Sequence, residues 1–228
     1  MVTSAFQAME VARVDASPPE KRFDETVVGY QGARPHGKVN MDALELLKSD
    51  HDKVRGLFND FRSAAEQDDA ARMGELCSEV FNELTVHTSI EEEIFYPAVR
   101  EAGGEELNEQ TDESWEEHHV VDVLMEEIRA LDPGDAAFKA KMTVLMENVE
   151  HHAQEEEDEM FPQVRELMSN DDLQAMGQKL QEAKKRMELS STSKEELQQQ
   201  AREMDIEGRS SMTKEELSEA IQEQSDAV

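Results

Sequence analysis

Four histidines of this 228-residue chain belong to one pattern that occurs twice. Segment 87–97 reads HTSIEEEIFYP, and segment 152–162 reads HAQEEEDEMFP. In both segments a glutamate follows the histidine by four residues, and a proline follows it by ten. An earlier histidine, His51 or His118, lies on the predicted helix before each segment. The repetition indicates an internal duplication of a helix pair.

The spacing of these residues is suited to metal binding. Residues four apart lie on one face of a helix, about 6 Å apart along its axis. Two such pairs and two single histidines would offer four imidazoles and two carboxylates, and the carboxylates could bridge two ions. Imidazole and carboxylate without thiolate suit iron or manganese, with zinc able to substitute. The predicted ligands are His51, His87, Glu91, His118, His152 and Glu156.

Other candidates nearby are weaker. His119 and His151 point about 100° away from their neighbours on the helix, so we expect both to be exposed. Asp122, four residues after His118, could be a further ligand, but a solvated or hydrogen-bonding role is favoured. Tyr96 could line the site, although a core position is the better interpretation. The remaining glutamates of both acidic runs are expected to face solvent.

The elements that must position these residues are helices. Apolar residues recur at three- and four-residue spacing over four segments: about 41–66, about 69–102, one starting near Thr111 or Asp112, and one with Asp132 as cap and Pro133 in its first turn. Short connections predict antiparallel neighbours. The expected fold is all-α, an up-down-up-down four-helix bundle over 41–169. An irregular or disordered lead over 1–40 precedes it, and an additional helix and linker over 170–190 follow.

A small helical module is predicted at the C-terminal end, over 191–224. Ser193 with Glu196, and Thr213 with Glu216, each have the spacing of a capping box at a helix start. Two short helices separated by a turn at Gly208 would form a helix-extended-helix unit.

Composition limits the environment and the partners. The formal net charge is −31, which disfavours binding to nucleic acid or to anionic lipid. Cys77 is the single cysteine, so neither an internal disulfide nor a multi-thiolate metal site can form. The first residues do not resemble a signal peptide, and no apolar run approaches the ~20 residues of a membrane span. A cytoplasmic protein is expected.

The motifs HxxxEExxFYP and HxxxEExxxFP, each preceded by a helix with one histidine, resemble the hemerythrin-like HHE cation-binding domains over about residues 42–168. The resemblance implies a four-helix bundle with an oxo- or hydroxo-bridged di-iron centre that reacts with O₂ or related molecules. Oxygen-carrying hemerythrins have a second histidine one turn after the third-helix histidine, where this chain has Asp122. That difference favours sensing, or turnover of peroxide or NO, over reversible O₂ carriage.

The C-terminal module is similar to the N-terminal module of the Rho transcription terminator and to SAP-like motifs, which are associated with nucleic acid. Residues 191–224 contain four basic and nine acidic side chains, and phosphate binding needs a basic face. A protein partner is therefore favoured over nucleic acid.

The leading hypothesis is a non-haem di-iron protein that binds O₂, peroxide or NO in sensing or in oxidative or nitrosative stress, with a peroxide-consuming activity as one form. Ferroxidase or iron storage is an alternative, weakened because ferritin-like sites are dominated by carboxylates with ExxH pairs. An acidic adaptor that a metal ion stabilises, without catalysis, is the other alternative.

Overall fold

The structure is a computed structural model, and it describes residues 41–206, 208–209 and 211–226. Within these ranges the chain contains helices and turns but no strand. The predicted irregular lead over 1–40, with His36, lies outside the described residues.

The helices follow one another closely. They are α1 (Ala43–Glu66), α2 (Ala70–Ile90), α3 (Tyr96–Ala102), α4 (Glu105–Arg129), α5 (Ala136–Glu155), α6 (Phe161–Leu167), α7 (Asn170–Ser191), α8 (Lys194–Glu203) and α9 (Lys214–Asp226). Two five-residue π-helical turns, Glu91–Phe95 and Glu156–Met160, join α2 to α3 and α5 to α6. Each of these pairs is therefore one long helix with a local widening.

These long helices, with α1 and α4, form the predicted bundle. α1 packs against α2, and α4 packs against α5 and α3. The connections are too short for anything but antiparallel neighbours, and the predicted all-α, up-down-up-down fold is confirmed.

The bundle has two apolar layers with a polar layer between them. One apolar layer contains Phe58, Leu76 and Met142, and the other contains Leu47, Phe95 and Val164. The predicted metal ligands lie between these residues along each helix, so they form a buried polar layer enclosed on both sides.

Two predicted helix starts are wrong. α4 begins at Glu105 after Gly104, about two turns before the expected cap, because Leu107 is buried and continues the apolar face. The hydroxyl of Thr111 instead donates to the carbonyl oxygen of Asn108 inside the helix, at 2.9 Å.

The start of α5 is also displaced, to Ala136 with Asp135 as its N-cap residue. Asp132 is not the cap: its side chain accepts a hydrogen bond of 2.8 Å from the Gly134 amide. Such a contact stabilises a tight turn and competes with helix initiation.

α7 is a fifth long helix that packs against α1 and α2. It continues to Ser191, so the linker predicted within 170–190 does not separate α7 from the C-terminal module. The polar run SSTS over 190–193 forms the end of α7 and the N-cap of α8. Gly177 allows a close approach, because a Cβ there would lie 2.5 Å from the carbonyl oxygen of Met41. Leu173, Met176 and Leu180 extend the second apolar layer.

The C-terminal helices have a small core of their own. Leu197, Ala201, Leu217 and Ile221 pack together with Leu189 of α7. Both predicted capping boxes are present in this unit. Since Leu189 belongs to α7, the unit is built onto the end of that helix.

Candidate metal centre

One histidine from each of α1, α2, α4 and α5 enters the buried polar layer. The Nε2 atoms of His51 and His87 lie 3.0 Å apart, and those of His118 and His152 lie 3.1 Å apart. All four side chains are buried. The layer therefore contains two imidazole pairs whose ring nitrogens converge.

The two buried glutamates lie between the imidazole pairs. Glu91 has one carboxylate oxygen 3.2 Å from His87 Nε2 and the other 3.5 Å from His118 Nε2. Glu156 Oε2 lies 3.3 Å from His51 Nε2 and 3.8 Å from His152 Nε2. Both carboxylates are thus positioned between the two pairs, and Glu91 has one oxygen near each pair.

Each glutamate is the first residue of a π-helical turn. The Tyr96 amide donates to the Glu91 carbonyl, and the Phe161 amide donates to the Glu156 carbonyl, five residues back in both cases. A proline, which has no amide hydrogen, follows at Pro97 and Pro162. Such turns widen a helix locally and are frequent at functional sites. They were not predicted, although the proline ten residues after each histidine was a signal.

Burial and neighbouring charges alter the acidity of the layer. Burial, together with the nearby Glu156 carboxylate, raises the pKa of Glu91 well above its usual value. Burial alone would do the same to Glu156, but His152 and His51 outweigh it and lower the pKa of that carboxyl. Burial lowers the pKa of His87 to about 4. A neutral imidazole is the form that binds a metal ion.

Several carboxylate oxygens in the layer have no hydrogen-bond partner among the described residues. Both oxygens of Glu91 and Oε2 of Glu156 are in this state and fully buried. A buried, unsatisfied carboxylate oxygen is costly unless a cation is bound to it. The residues present therefore fit a metal site.

The converging atoms form two groups that could each hold a cation. The first group consists of His51, His87, Glu91 and Glu156, and the second of Glu91, His118 and His152. Within each group, the candidate ligand atoms lie within 4.8 Å of one another. All six predicted residues are thus brought together, with Glu91 common to both groups. Their role as ligands stays a prediction.

Each histidine also has a carboxylate near its outer ring nitrogen, Nδ1. The pairs are His51 with Glu157 at 3.0 Å, His87 with Asp50 at 3.8 Å, His118 with Glu92 at 2.9 Å, and His152 with Glu117 at 2.8 Å. Such partners fix ring orientation and tautomer. The expectation that the remaining glutamates of both acidic runs face solvent was wrong for Glu157, which is 12% exposed, and incomplete for Glu92, which is 39% exposed but reaches His118. In both segments a second glutamate directly follows the buried one, Glu92 after Glu91 and Glu157 after Glu156, and this repeat could have predicted the contact with histidine.

Tyr96 is both a core residue and part of this layer. It is 0% exposed, and its hydroxyl donates to Glu156 Oε1 at 2.9 Å and lies 3.3 Å from His118 Nε2. The prediction of a core aromatic was therefore incomplete. His119, His151 and Asp122 are exposed, and none of them enters the layer.

Two pockets reach the layer from different sides. The first has a volume of about 20 Å³ and is lined by the four histidines and by apolar side chains that include Val54, Phe58, Leu84, Val121 and Val149. The second has a volume of about 50 Å³ and is lined by Glu156 and by glutamates closer to the surface, among them Glu113, Glu117, Glu155 and Glu159. One approach is thus mostly apolar and the other acidic.

Among the described residues, no helix combines the length and the apolar character needed to cross a membrane.

Comparison with known proteins identifies two segments. Residues 42–164 match the family described as Hemerythrin HHE cation binding domain, and residues 188–226 match the family described as Rho termination factor, N-terminal domain. Both resemblances expected from the sequence are confirmed.

Two curated proteins have sequences that are distantly similar to this chain. A protein named DNA nickase from Nostoc sp. is 26% identical over 73% of this chain, and the match covers 48% of that protein. The chain thus spans about half the length of this relative. An uncharacterized hemerythrin-like protein from Schizosaccharomyces pombe is 26% identical over 62% of this chain and 68% of its own length.

A crystal structure of a hemerythrin HHE cation binding domain-containing protein from Mycobacterium kansasii has a similar fold. The TM-score is 0.56, the sequence identity is 21%, and the match covers 79% of this chain and 99% of that one. The family match extends over more than half of the sequence and includes all six converging side chains. The chain therefore belongs to the hemerythrin HHE cation-binding domain family.

Proposed function

We propose that this protein holds two iron ions in the buried layer and uses them to bind O₂, peroxide or NO, in sensing or in oxidative or nitrosative stress. The observation that carries the proposal is Glu91, a fully buried carboxylate placed between two imidazole pairs and without a hydrogen-bond partner in the described part of the chain. Manganese or zinc could substitute, because the donor set contains imidazole and carboxylate alone.

Six side chains would hold the ions. They are His51, His87, Glu91, His118, His152 and Glu156. The pair of ions would supply Lewis-acid and redox chemistry to a small molecule. The outer carboxylates would keep each Nδ1 protonated, which leaves each Nε2 lone pair free for a metal ion.

The apolar pocket favours a very small ligand. A volume of about 20 Å³ is close to that needed for one water-sized molecule. Its walls are mostly apolar, so a diatomic such as O₂ or NO would lose little hydration on entering it. Tyr96 belongs to the second apolar layer, whereas the apolar side chains of this pocket, such as Val54 and Phe58, belong to the first. Its hydroxyl holds a proton against Glu156 Oε1.

The acidic pocket supports a second candidate, ferroxidase activity or iron storage. Its glutamates extend from the surface to Glu156 and would attract Fe²⁺ as a substrate. This candidate predicts that each chain oxidises many Fe²⁺ ions in succession. The leading proposal predicts that uptake stops near two ions per chain.

The first experiment is to purify the protein aerobically, measure its iron content, and record its visible spectrum before and after addition of azide or peroxide. We expect about two iron ions per chain and absorption bands that azide alters. His87→Ala and Glu156→Gln should abolish the colour, because each removes a donor from the first group. His119→Ala, which changes an exposed histidine beside His118, is the matched control and should keep it.

An iron content far below two ions with no iron absorption would contradict the proposal. Colour that survives loss of His87 would show that the ligand assignment is wrong. Rapid consumption of peroxide would identify an enzyme, whereas reversible O₂ uptake would identify a carrier or sensor.

A further inference from the structure

The two imidazole pairs differ in whether lysine or arginine side chains pair with the carboxylates that lie near the Nδ1 atoms. Glu157, beside His51, forms ion pairs with Lys48 and with Arg55, the latter at 2.8 Å. Asp50, beside His87, forms an ion pair with Lys184. In contrast, no lysine or arginine in the described part of the chain forms an ion pair with Glu92 or Glu117, the carboxylates beside His118 and His152.

Lys184 comes from outside the bundle. It lies on α7, beyond residue 164, where the match to the cation-binding family ends. Its side chain is 18% exposed, and that of Asp50 is 10% exposed. Lys184 Nζ also lies 4.0 Å from Glu83 Oε2, and Glu83 pairs with Lys53 at 2.5 Å. The lysine is therefore held on two sides in a mostly buried position.

Asp50 connects this lysine to the layer. One carboxylate oxygen is bound by Lys184, and the other lies 3.8 Å from His87 Nδ1. Asp50 Oδ2 and His87 Nδ1 are both buried, and neither has a hydrogen-bond partner among the described residues. A histidine that binds a metal through Nε2 carries its proton on Nδ1 and needs an acceptor there. Asp50 is the acceptor that the fold places in reach.

We propose that Lys184 is a positioning residue for the metal centre: by holding Asp50 against His87, it increases metal affinity at the position between His51 and His87 but not at the position between His118 and His152. This inference rests on the proposed function, since it presupposes that both positions bind an ion. It assigns α7 a role in the centre, in addition to packing.

The packing of α7 supports such a role. Gly177 brings the helix against the first residues of α1, where a Cβ would meet the Met41 carbonyl at 2.5 Å. Leu180 and Ala183, on the same helix, are buried in the second apolar layer. These contacts fix the backbone on the N-terminal side of Lys184. The fold therefore places the Lys184 side chain within ion-pair distance of Asp50.

The test is a titration of the metal-free protein with Co²⁺, which reports each occupied position by its visible absorption and by the heat of binding. Changes to the outer partner of a metal-bound histidine typically weaken affinity about 10- to 100-fold. Lys184 contacts the outer partner Asp50 and not the histidine itself. For Lys184→Met we therefore expect Co²⁺ affinity to fall about tenfold at the position between His51 and His87 and to stay unchanged at the position between His118 and His152.

Two variants separate positioning from general stability. Lys184→Arg retains the positive charge, so we expect it to bind Co²⁺ at both positions with the same dissociation constants as the unchanged protein. Lys179→Met, which changes an exposed lysine on the same helix, should behave like the unchanged protein. A purely structural role for Lys184 would lower the thermal stability of the metal-free protein without changing the ratio of the two Co²⁺ constants.

A double-mutant cycle tests whether Asp50 is the intermediate. In an Asp50→Ala background, Lys184→Met should cause no further loss of Co²⁺ affinity. Equal weakening at both positions, no weakening at all, or full additivity with Asp50→Ala would each overturn the inference. If the unchanged protein bound no Co²⁺, the proposed function itself would fail. Normal binding of two ions with no effect of Lys184→Met would overturn the inference alone.

Discussion

Tyr96 illustrates how a single buried hydroxyl serves both packing and chemistry. Its ring contacts Trp115 and His118, and its hydroxyl is the hydrogen-bond donor to Glu156 Oε1. Burial and the carboxylates of Glu156 and Glu91 raise the pKa of Tyr96 well above its usual value. In the metal-free protein the residue is therefore a phenol, and its proton stays available to Glu156.

Replacing Tyr96 with phenylalanine should lower the free energy of unfolding of the metal-free protein by about 1–3 kcal/mol, because a buried carboxylate oxygen loses its donor. The ring would still fill its place, so the helical content should not change. Urea denaturation measures the difference. A loss below about 0.5 kcal/mol, smaller than a typical net hydrogen bond, would mean that the hydroxyl does little for Glu156.

At the scale of elements, sequence periodicity located the helices but not their irregularities. The histidine–glutamate spacing predicted which side chains converge, because a residue four positions on lies on the same face. The π-helical turns at Glu91 and Glu156 escaped prediction, since they change the local hydrogen-bond register without changing the apolar pattern. Lys184 could not be found either, because a contact between α7 and Asp50 depends on tertiary packing alone.

Asp42 shows how one side chain fixes the beginning of α1. Its carboxylate accepts from the Glu45 amide as an N-cap and pairs with both guanidinium nitrogens of Arg165 on α6, at 2.8 and 3.2 Å. Burial opposes the charged form, but the Arg165 and cap hydrogen bonds outweigh it and lower the pKa of Asp42. Ionised Asp42 therefore stabilises the fold above its unfolded-state pKa, and this contribution is lost as the pH falls through the lower folded-state value.

Asp42→Ala should destabilise the protein by about 1–2 kcal/mol at pH 7 through loss of the cap and the ion pair. Asp42→Asn retains a cap acceptor and should lose less. The difference between the unchanged protein and Asp42→Asn should shrink as the pH falls from about 4, the pKa of an unperturbed aspartate, through the lower pKa of folded Asp42. Urea denaturation at a series of pH values provides the measurement, and a difference that grows towards acid would contradict the assignment.

At the scale of the whole molecule, a polar layer enclosed by two apolar ones makes cation binding and folding interdependent. The buried Glu156 carboxylate places negative charge at the centre of a chain whose formal net charge is −31, and ionisation of Glu91 would add to it. Bound cations would relieve that repulsion in the folded state but not in the unfolded chain. Metal binding should therefore increase the free energy of unfolding.

A free Co²⁺ concentration 100 times the dissociation constant should raise the free energy of unfolding by about 2.7 kcal/mol for each occupied position. Thermal unfolding with Co²⁺, and again after addition of a chelator, measures this stabilisation. His87→Ala should reduce it, whereas His119→Ala should not. A melting temperature that does not depend on Co²⁺ would contradict the location of the centre in the folded core.

The π-helical turns also carry information about the history of the chain. A π-helical turn has hydrogen bonds between residues five apart instead of four, and such turns are rare overall and frequent at functional sites. Here the same turn begins at the equivalent glutamate in both halves and ends before the equivalent proline. The simplest history is that the π-helical turn was already present in an ancestral helix pair before that pair was duplicated. That ancestor would have needed two copies of itself to enclose one centre.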